Sequence, residues 1–253
     1  IYDWYLGGAH NFEPDRQFGR KAERIWPQIR PVSRNNRAFM QRVIWEASED
    51  GITQFLDIGS GVPTVGNVHE VALRRNPDAR VVYVDYEPVA FASGTIMLNE
   101  QDLAERATII QRDLRVPEAI LDHPATNRIL DLSQPVCLLM TATLHFIAPQ
   151  DHPSTLIARF RDRLAPGSWF AVSHLACDAV GPAEAEEVIR FAEAYQETSN
   201  PLYIRDREEI ATWFAGFELL DPGVVFLPDW RPDHKVADTA ARPLAWCGAG
   251  RKP

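Results

Sequence analysis

A turn that contains two glycines, within residues 55–61, is the part of this sequence most suited to chemistry. The segment reads Phe-Leu-Asp-Ile-Gly-Ser-Gly, so a buried strand carrying Asp57 turns through Gly59 and Gly61 toward a helix. Glycines let a ligand approach the backbone without a Cβ in the way, and the helix start offers free N–H groups. The turn therefore predicts a ligand-binding loop, although a lone Gly-x-Gly is a weak signal.

A second acid strengthens this interpretation. Asp85 ends the next strand, Val-Val-Tyr-Val-Asp, about 26 residues after Gly59. An acid there can accept hydrogen bonds from both hydroxyls of a ribose, which suits either a dinucleotide or S-adenosylmethionine. The glycine spacing favours S-adenosylmethionine, because the third, helix-packing glycine of the dinucleotide pattern is absent. Asp57 favours it too, since a carboxylate attracts a cationic amino acid and repels a diphosphate.

A third acid lies just past the third predicted strand, in the segment Gln-Arg-Asp-Leu-Arg. We expect Asp113 to accept a hydrogen bond from the exocyclic amine of adenine and Leu114 to cover the ring. The alternative is that Asp113 only caps the short helix that follows near 116–121. Its register with the glycine turn and with Asp85 favours the adenine role.

The elements that position these acids alternate along the chain. Strands are predicted at 54–58, 80–85, 107–111, 135–140 and 168–175, and helices near 68–76, 88–98, 116–121 and 154–164. The strand sequences are apolar on both faces, which is typical of a parallel sheet covered by helices on both sides. Strand–helix alternation indicates right-handed crossovers and a doubly wound α/β sheet.

The two ends of the chain have different patterns. Residues 1–50 contain helical patterns near 15–26 and 35–48 and predict an N-terminal helical lid or extension on a domain spanning 51–253. A helical insertion is predicted near 182–214. Late strands near 217–225 and 244–249 complete a mostly parallel, seven-stranded sheet, and the polar residues 228–242 between them predict a loop.

Composition disfavours several classes of function. The 253 residues are 45% hydrophobic and 24% charged, with a formal net charge of −9. This acidic balance, without a long Lys/Arg cluster, makes nucleic acids and anionic membranes poor partners. The apolar stretches are too short to span a bilayer. Three widely spaced cysteines fit neither a disulfide framework nor a metal site, so we expect a cytoplasmic setting and no bound metal.

Several short segments match a known family. They include Tyr-Asp-Trp-Tyr-Leu-Gly-Gly at 2–8, Asn-Arg-Ala-Phe at 36–39, the glycine turn, Arg-Asp-Leu-Arg at 112–115, Leu-His-Phe at 144–146 and Leu-Ala-Pro-Gly-Ser at 164–168. On these segments the whole chain resembles an actinobacterial family of S-adenosylmethionine-dependent methyltransferases, long described as a domain of unknown function. The resemblance implies the Rossmann-like fold of class I methyltransferases, with S-adenosylmethionine as cofactor and S-adenosylhomocysteine as product, but no particular acceptor.

One residue departs from the wider superfamily. Pro63 stands where many relatives carry a glycine, and proline fixes φ and lacks an N–H. The methionyl end of the cofactor must therefore be held differently. We expect the N-terminal segment to hold it as a lid, in which Tyr2 and Gly8 contact the cofactor and Arg37 clamps the methionyl carboxylate. The alternative is that Arg37 is a surface charge and the tyrosines pack the N-terminal helices.

In this superfamily the end of the fourth strand faces the reacting methyl group. Here it reads Met-Thr-Ala-Thr-Leu-His-Phe, at 140–146. It has neither the Asp/Asn-Pro-Pro-Tyr sequence of amide and base-amine methyltransferases nor an acid to hold Mg²⁺. His145 is the expected general base, since an imidazole of near-neutral pKa can take a proton from a hydroxyl or ring nitrogen. The alternative is a histidine that packs between the strand and the next helix.

These observations predict a methyltransferase that acts on a small-molecule acceptor, with aromatic secondary metabolites as the favoured class. The alternative is a non-catalytic protein of the same fold that binds the cofactor. We expect Tyr5 and Trp230 to contact the acceptor. The residues expected to bind the cofactor are Asp57, Gly59, Ser60, Gly61, Asn67, Asp85, Tyr86, Asp113, Leu114, Thr141, Tyr2, Gly8 and Arg37, and helix capping is an equal alternative for Asn67.

Overall fold

The computed structural model describes residues 1–64, 66–233, 235–237 and 239–253. Its strands are β1 (Gln54–Ile58), β2 (Arg80–Asp85), β3 (Ala107–Gln111), β4 (Cys137–Thr141), β5 (Trp169–Leu175), β6 (Glu218–Leu219), β7 (Val225–Phe226) and β8 (Ala245–Arg251). Its helices are α1 (Tyr2–Leu6), α2 (Glu13–Ile25), α3 (Ile29–Glu49), α4 (Val68–Arg75), α5 (Pro88–Glu100), α6 (Pro117–Leu121), α7 (Pro124–Ile129), α8 (Pro153–Arg163), α9 (Pro182–Gln196) and α10 (Arg207–Thr212).

The strands form one sheet in the order β3-β2-β1-β4-β5-β8-β6, and β7 also pairs with β8. Strands β1 to β5 are parallel, whereas β8 runs antiparallel to β5, β6 and β7. From β1 the chain proceeds to β2 and β3 on one side, then returns to place β4 on the other. In doubly wound sheets a ligand binds where the strand order reverses in this way, beyond the carboxyl ends of the strands.

Both faces of the sheet are buried. Along β1, Phe55 belongs to one apolar cluster and its neighbour Leu56 to a second. Phe39 of α3 lies in the first cluster and Phe160 of α8 in the second. Successive strand residues point to opposite faces, so a strand covered on both sides needs a continuous apolar run. The predicted doubly wound α/β sheet is confirmed.

The late part of the sheet differs from its prediction. The single strand predicted near 217–225 is two short strands, β6 and β7, so the described sheet has eight strands rather than seven. Pro222, between them, has no N–H for a ladder, and Gly223 has a φ of +89°. Both residues favour a turn over an extended strand. Helices α1 and α7, of five and six residues, were not predicted.

Helix α3 lies within the predicted N-terminal extension, but it packs on the sheet. Its buried residues Phe39, Val43 and Ala47 share an apolar cluster with Phe55 of β1 and Leu139 of β4. This helix is therefore part of the layer that covers the sheet. Helix α1 and the start of α2 lie instead beside the carboxyl ends of the strands, where a lid would lie.

The polar loop after β7 holds a buried tryptophan. Trp230 is fully buried, and its ring packs edge to face on Phe39 with centroids 5.4 Å apart. Arg42 pins this segment to α3 by donating hydrogen bonds to the carbonyls of Trp230 at 2.8 Å and Leu227 at 2.7 Å. The sequence places Trp230 in a polar loop, but burial of its large apolar ring outweighs the polarity of its neighbours, and its contact with the acceptor stays a prediction.

Candidate functional site

A cavity of about 840 Å³ opens beyond the carboxyl ends of β1, β2, β4 and β5. The sheet order places the ends of these strands side by side, so loops that are distant in sequence meet around one space. Residues of α1, α3 and α9 close its other sides. The predicted site residues that line it are Tyr2, Tyr5, Gly59, Ser60, Gly61, Asp85, Tyr86, Asp113, Leu114, Thr141 and His145, whereas Gly8, Arg37, Asp57, Asn67 and Trp230 lie outside its lining.

The glycine turn after β1 has the backbone conformation that its sequence predicts. Gly59 and Gly61 have φ angles of +72° and +66°, which L-residues with a Cβ rarely adopt. A Cβ on Gly59 would lie 2.5 Å from Cγ2 of Thr143. The N–H groups of Gly59 and Ser60 both donate to the carbonyl of Val84, at 2.8 and 3.1 Å. The turn is thus folded tightly against the ends of β2 and β4.

Asp85 joins this turn to the end of β2. Its Oδ2 accepts a hydrogen bond from the N–H of Gly61 at 2.7 Å, and its Oδ1 accepts one from the N–H of Glu87 at 2.9 Å. The side chain is 8% exposed and lines the cavity. Burial raises its pKa, although the backbone hydrogen bonds oppose that rise. Each oxygen keeps acceptor capacity for a ribose hydroxyl.

The loop after β3 supplies another part of the cavity wall. Asp113 accepts hydrogen bonds from Nε of Arg115 on both of its oxygens, from Nη2 of Arg115 on Oδ2, and from the backbone N–H of Arg115 on Oδ1. Burial raises the pKa of Asp113, but these hydrogen bonds outweigh it and hold the pKa below its ordinary value. Asp113 is therefore an ionised acceptor at the cavity wall, with Leu114 beside it. Tyr86, 44% exposed, contacts Asn200 across the mouth.

Two charged residues expected at the methionyl end lie just behind the cavity wall. Arg37 donates a hydrogen bond from Nη2 to Oγ1 of Thr64 at 2.7 Å, while its buried Nε has no partner in the described chain. Burial raises the pKa of Asp57 to about 7, although nearby Arg37 opposes this rise. Asn67 accepts a hydrogen bond from the N–H of Thr64 at 3.0 Å and donates one to Glu70, so it shapes the loop.

Helix α1 contributes two tyrosines to the lining. The hydroxyl of Tyr2 donates to the carbonyl of Ser33 at 3.1 Å and accepts from Asn36 at 2.8 Å. The hydroxyl of Tyr5 shares a hydrogen bond with that of Tyr195 on α9, at 3.0 Å. Thus α1 is fixed at one end to α3 and at the other to α9.

Gly8 has a structural role in the same segment. A Cβ at Gly8 would overlap the carboxylate of Asp3, which accepts a hydrogen bond from Asn11 at 2.7 Å. The glycine therefore makes room for this buried carboxylate. Gly8 itself lies outside the cavity lining, and its contact with the cofactor stays a prediction.

The segment after β4 turns sharply into the cavity. Ala142 has a φ of +53°, and the hydroxyl of Thr143 donates to the carbonyl of Ile58 at 2.9 Å. His145 follows in a short 3-10 turn and is 5% exposed, and its buried Nδ1 has no partner in the ranges that the structure describes. Burial, and secondarily Arg205, lower its pKa to about 3. The pKa lies below the near-neutral value expected from the sequence, because an imidazolium ion loses its hydration here.

Other lining residues were missed by the sequence analysis. Asn36 and Ser173 hydrogen-bond to each other at the cavity wall, and Tyr195 lines it from the predicted helical insertion. His174 lies with its ring centroid 5.3 Å from that of His145. The pattern of α9 marks Tyr195 only as part of an apolar helix face, so no local signal distinguishes it from a core residue.

Unpartnered polar atoms concentrate around this cavity. Buried Oδ1 of Asp3, Oγ of Ser33, Oγ of Ser60 and Nδ1 of His145 have no hydrogen-bond partner among the described residues, and all four residues line the space. Buried polar groups in native proteins are nearly always satisfied. A polar ligand in the cavity would satisfy such atoms, and the acid at the ribose position suits a nucleoside.

Comparison with known proteins decides the family. A family model described as S-adenosyl methyltransferase matches residues 1–253. The chain belongs to this S-adenosyl methyltransferase family. S-adenosylmethionine is therefore its cofactor, in agreement with the glycine turn and Asp85. A search of curated proteins finds no match.

Solved structures agree with this assignment. A candidate methyltransferase from Thermobifida fusca YX is 38% identical, with a TM-score of 0.91 over 99% of this chain and 92% of the other. A protein from Streptomyces avermitilis, of a family designated as a domain of unknown function, is 33% identical, with a TM-score of 0.90 over 100% and 95%. An N-methyltransferase from Bradyrhizobium japonicum, solved with S-adenosyl-L-homocysteine, shares only the fold, at 11% identity and a TM-score of 0.51 over 88% of each chain.

Two further features concern other classes of site. Among the described residues, no helix has both the length and the apolar character that a membrane span requires. Within the same ranges, His, Cys, Asp and Glu side chains form no group of three that could hold a metal ion.

Proposed function

We propose that this methyltransferase methylates a small, uncharged acceptor that carries a hydroxyl group, with planar aromatic compounds as the favoured class. One observation carries the proposal: a single cavity joins the glycine turn and Asp85 to an aromatic region that surrounds His145. S-adenosylmethionine supplies an electrophilic methyl group on a sulfonium sulfur. The chain has to seat both molecules, exclude water and accept the proton that the acceptor loses.

The strand ends supply the cofactor seat in this proposal. Asp85 would accept hydrogen bonds from the ribose hydroxyls, and the turn from Gly59 to Gly61 would contact the part of the cofactor nearest the sulfur. Asp113 would accept a hydrogen bond from the exocyclic amine of adenine, with Leu114 and Tyr86 beside the adenine ring. Arg37 binds the methionyl carboxylate through its unpartnered Nε, close to the loop that contains Thr64.

The acceptor seat lies on the side of His145. The ring of Phe146 is 4.5 Å from that of His145 and 6.1 Å from that of Tyr195, measured between centroids. Phe191 lies 5.1 Å from Tyr195 in the same wall. Aromatic side chains bind flat apolar molecules well and leave few charges to recognise. The wall therefore supports an uncharged, planar acceptor.

His145 has a limited chemical task in this site. With a pKa of about 3, the imidazole is neutral and accepts a hydrogen bond, but it is a weak base toward a free hydroxyl. The hydroxyl becomes a much stronger acid as its oxygen gains the methyl group. We propose that His145 orients the hydroxyl and takes its proton during this late stage. Tyr5 and Tyr195 offer a second hydrogen bond to the acceptor.

The proposal is tested with methyl-deuterated S-adenosylmethionine and a panel of acceptors. The panel contains neutral phenols, alkyl amines, carboxylates, a peptide and an oligonucleotide, and products are detected by the mass of the deuterated methyl group. We expect products from phenols, lost in His145→Gln but retained in the control Asp122→Asn on the exposed end of α6. Methylation of amines or the peptide instead would overturn the acceptor class. Binding of S-adenosylhomocysteine without any product would support the non-catalytic alternative.

A further inference from the structure

Arg205 is a buried arginine outside the cavity lining. It lies in the extended segment between α9 and α10 and is 4% exposed. Its Nε donates to Oε1 of Glu209 at 2.7 Å, on the solvent side. Burying an arginine costs free energy unless acceptors satisfy its N–H donors, so its hydrogen-bond partners indicate its role.

The other donors of Arg205 point at the turn after β4. Its Nη1 donates to the carbonyl of Leu144 at 3.1 Å, and its Nη2 donates to the carbonyl of Ile147 at 2.7 Å. The N–H of Tyr203, two residues earlier, donates to the carbonyl of His145 at 2.8 Å. The segment from Tyr203 to Arg205 therefore holds three of the four carbonyls of residues 144–147.

The guanidinium of Arg205 also contacts His174, whose tautomer follows from its two hydrogen-bond partners. Its Nη1 lies 3.2 Å from Nε2 of His174, while Nδ1 of His174 lies 2.7 Å from the carbonyl of Leu175. A guanidinium can only donate and a carbonyl can only accept. Nε2 of His174 must therefore be the acceptor, and Nδ1 must carry the proton. The ring that faces His145 is thus a neutral imidazole of defined tautomer.

We infer that Arg205 is a positioning residue, which holds the 144–147 turn so that His145 faces the acceptor, and which stabilises the Nδ1–H tautomer of His174 by donating to its Nε2. The inference rests on the proposed function for its consequence in catalysis, but its structural content stands on these contacts alone. Arg205 couples the helical insertion, whose α9 lines the acceptor seat, to the turn that carries His145. It acts only through other residues.

The test reads the imidazole nitrogens directly. The chain is labelled with ¹⁵N-histidine, and the signals of its seven histidines are assigned with His145→Gln and His174→Gln. In the native protein we expect a single Nδ1–H tautomer for His174. Arg205→Met keeps the length but has no donor, while the Leu175 carbonyl still accepts from Nδ1 of His174. In this variant we expect the Nδ1–H tautomer to persist, the Nε2 signal of His174 to move because that nitrogen loses its donor, and the His145 signals to move as well. The control is Arg207→Met, since Arg207 donates to the carbonyl of Val224 and touches neither histidine.

A second variant covers the case in which Arg205→Met fails to fold. Arg205→Lys keeps the charge but cannot reach both carbonyls and the imidazole at once, so we expect the same movement of the His174 and His145 signals with the fold retained. Affinity for S-adenosylhomocysteine is expected to stay within about twofold of native in both variants, a free-energy change below about 0.5 kcal/mol. An Nε2–H tautomer in the native protein, or unchanged histidine signals in Arg205→Lys, would overturn the inference. Failure of the native protein to bind S-adenosylhomocysteine would instead count against the proposed function.

Discussion

The carboxylate of Asp85 accepts a hydrogen bond from the N–H of Gly61 at 2.7 Å, which ties the end of β2 to the glycine turn after β1. The two residues are the strongest signals in the sequence, and the parallel pairing of β1 with β2 brings them together. The turn is thus held by the same acid that we assign to the ribose. Because Asp85 already accepts from two backbone N–H groups, its orientation is fixed before a ligand binds.

Replacement of Asp85 should weaken cofactor binding. We expect Asp85→Ala to reduce affinity for S-adenosylhomocysteine by about 1–3 kcal/mol, because the ribose hydroxyls lose a charged acceptor and the turn loses its anchor. Isothermal titration calorimetry measures the change directly. The control, Asp122→Asn, removes an exposed carboxylate paired with Arg163 and should bind as the native protein does. An unchanged affinity in Asp85→Ala would remove Asp85 from the ribose site.

The glycine turn makes a second prediction, on stability. Gly59→Ala should destabilise the fold more than Gly61→Ala, although both residues have positive φ angles. A left-handed conformation costs an alanine about 1–2 kcal/mol at either position. At Gly59 the new Cβ would also meet Thr143, whose hydroxyl donates a hydrogen bond to the carbonyl of Ile58, whereas at Gly61 no atom of the described part of the chain lies within 4 Å.

Denaturant unfolding of the two single variants measures this difference. The double variant Gly59→Ala/Thr143→Ala removes the side chain that the new Cβ meets, so it should recover part of the lost stability. Equal destabilisation by Gly59→Ala and Gly61→Ala would mean that backbone conformation alone explains both glycines.

The sequence predicts the first five strands because each is a short, largely apolar run that alternates with a helical pattern. The bounds of β1, β2 and β3 agree with the structure, since their neighbours at both ends break the apolar pattern. The strand predicted near 217–225 fails for the opposite reason. Only two residues on each side of its central turn pair with β8, and so short a pairing leaves no alternation to read.

The residues of the candidate site likewise fall into those that a local sequence pattern reveals and those that only tertiary packing brings to the site. Asp85, Asp113 and the glycine turn are local motifs, so their types and spacing reveal them without any knowledge of packing. Tyr195 and Arg205 reach the site only because α9 and the segment after it fold back over the strand ends. Such long-range contacts have no pattern in the sequence. Trp230 shows the reverse error, in which a polar neighbourhood hides a residue that tertiary packing buries.

The tyrosine pair between α1 and α9 gives a third prediction. Tyr5→Phe removes one hydroxyl and leaves that of Tyr195 without its partner in a buried place, which should cost about 1–3 kcal/mol of unfolding free energy. Tyr195→Phe should cost a similar amount. The double variant Tyr5→Phe/Tyr195→Phe leaves no hydroxyl unpaired, so its loss should be smaller than the sum of the two single losses.

Urea unfolding of the four proteins in this cycle measures the coupling, and a coupling of at least about 0.5 kcal/mol is expected for residues in contact. Additive losses would show that the hydroxyl pair does not hold α1 to α9. Affinity for S-adenosylhomocysteine is the control measurement. It should stay as in the native protein, because neither hydroxyl belongs to the proposed cofactor seat.

The last prediction concerns the pH dependence of stability. In the folded protein the pKa of His145 is lowered to about 3, whereas an unfolded histidine titrates near its ordinary pKa of about 6.5. Between these values the unfolded chain binds a proton that the folded chain does not, so His145 stabilises the fold above about pH 6.5 and loses this contribution as the pH falls. By linkage the loss between pH 7 and pH 5 is about 2 kcal/mol.

A comparison of variants isolates this contribution, because Asp57 acts in the same range with the opposite sign. Its pKa is raised to about 7, so the folded chain binds more protons than the unfolded chain at pH 5, and Asp57 favours folding as the pH falls. His145→Gln should therefore lose about 2 kcal/mol less stability than the native protein between pH 7 and pH 5, and Asp57→Asn should lose about 2 kcal/mol more. Urea unfolding at the two pH values measures both. Parallel pH profiles for native protein and His145→Gln would show that the imidazole is hydrated, and would restore it as an ordinary base.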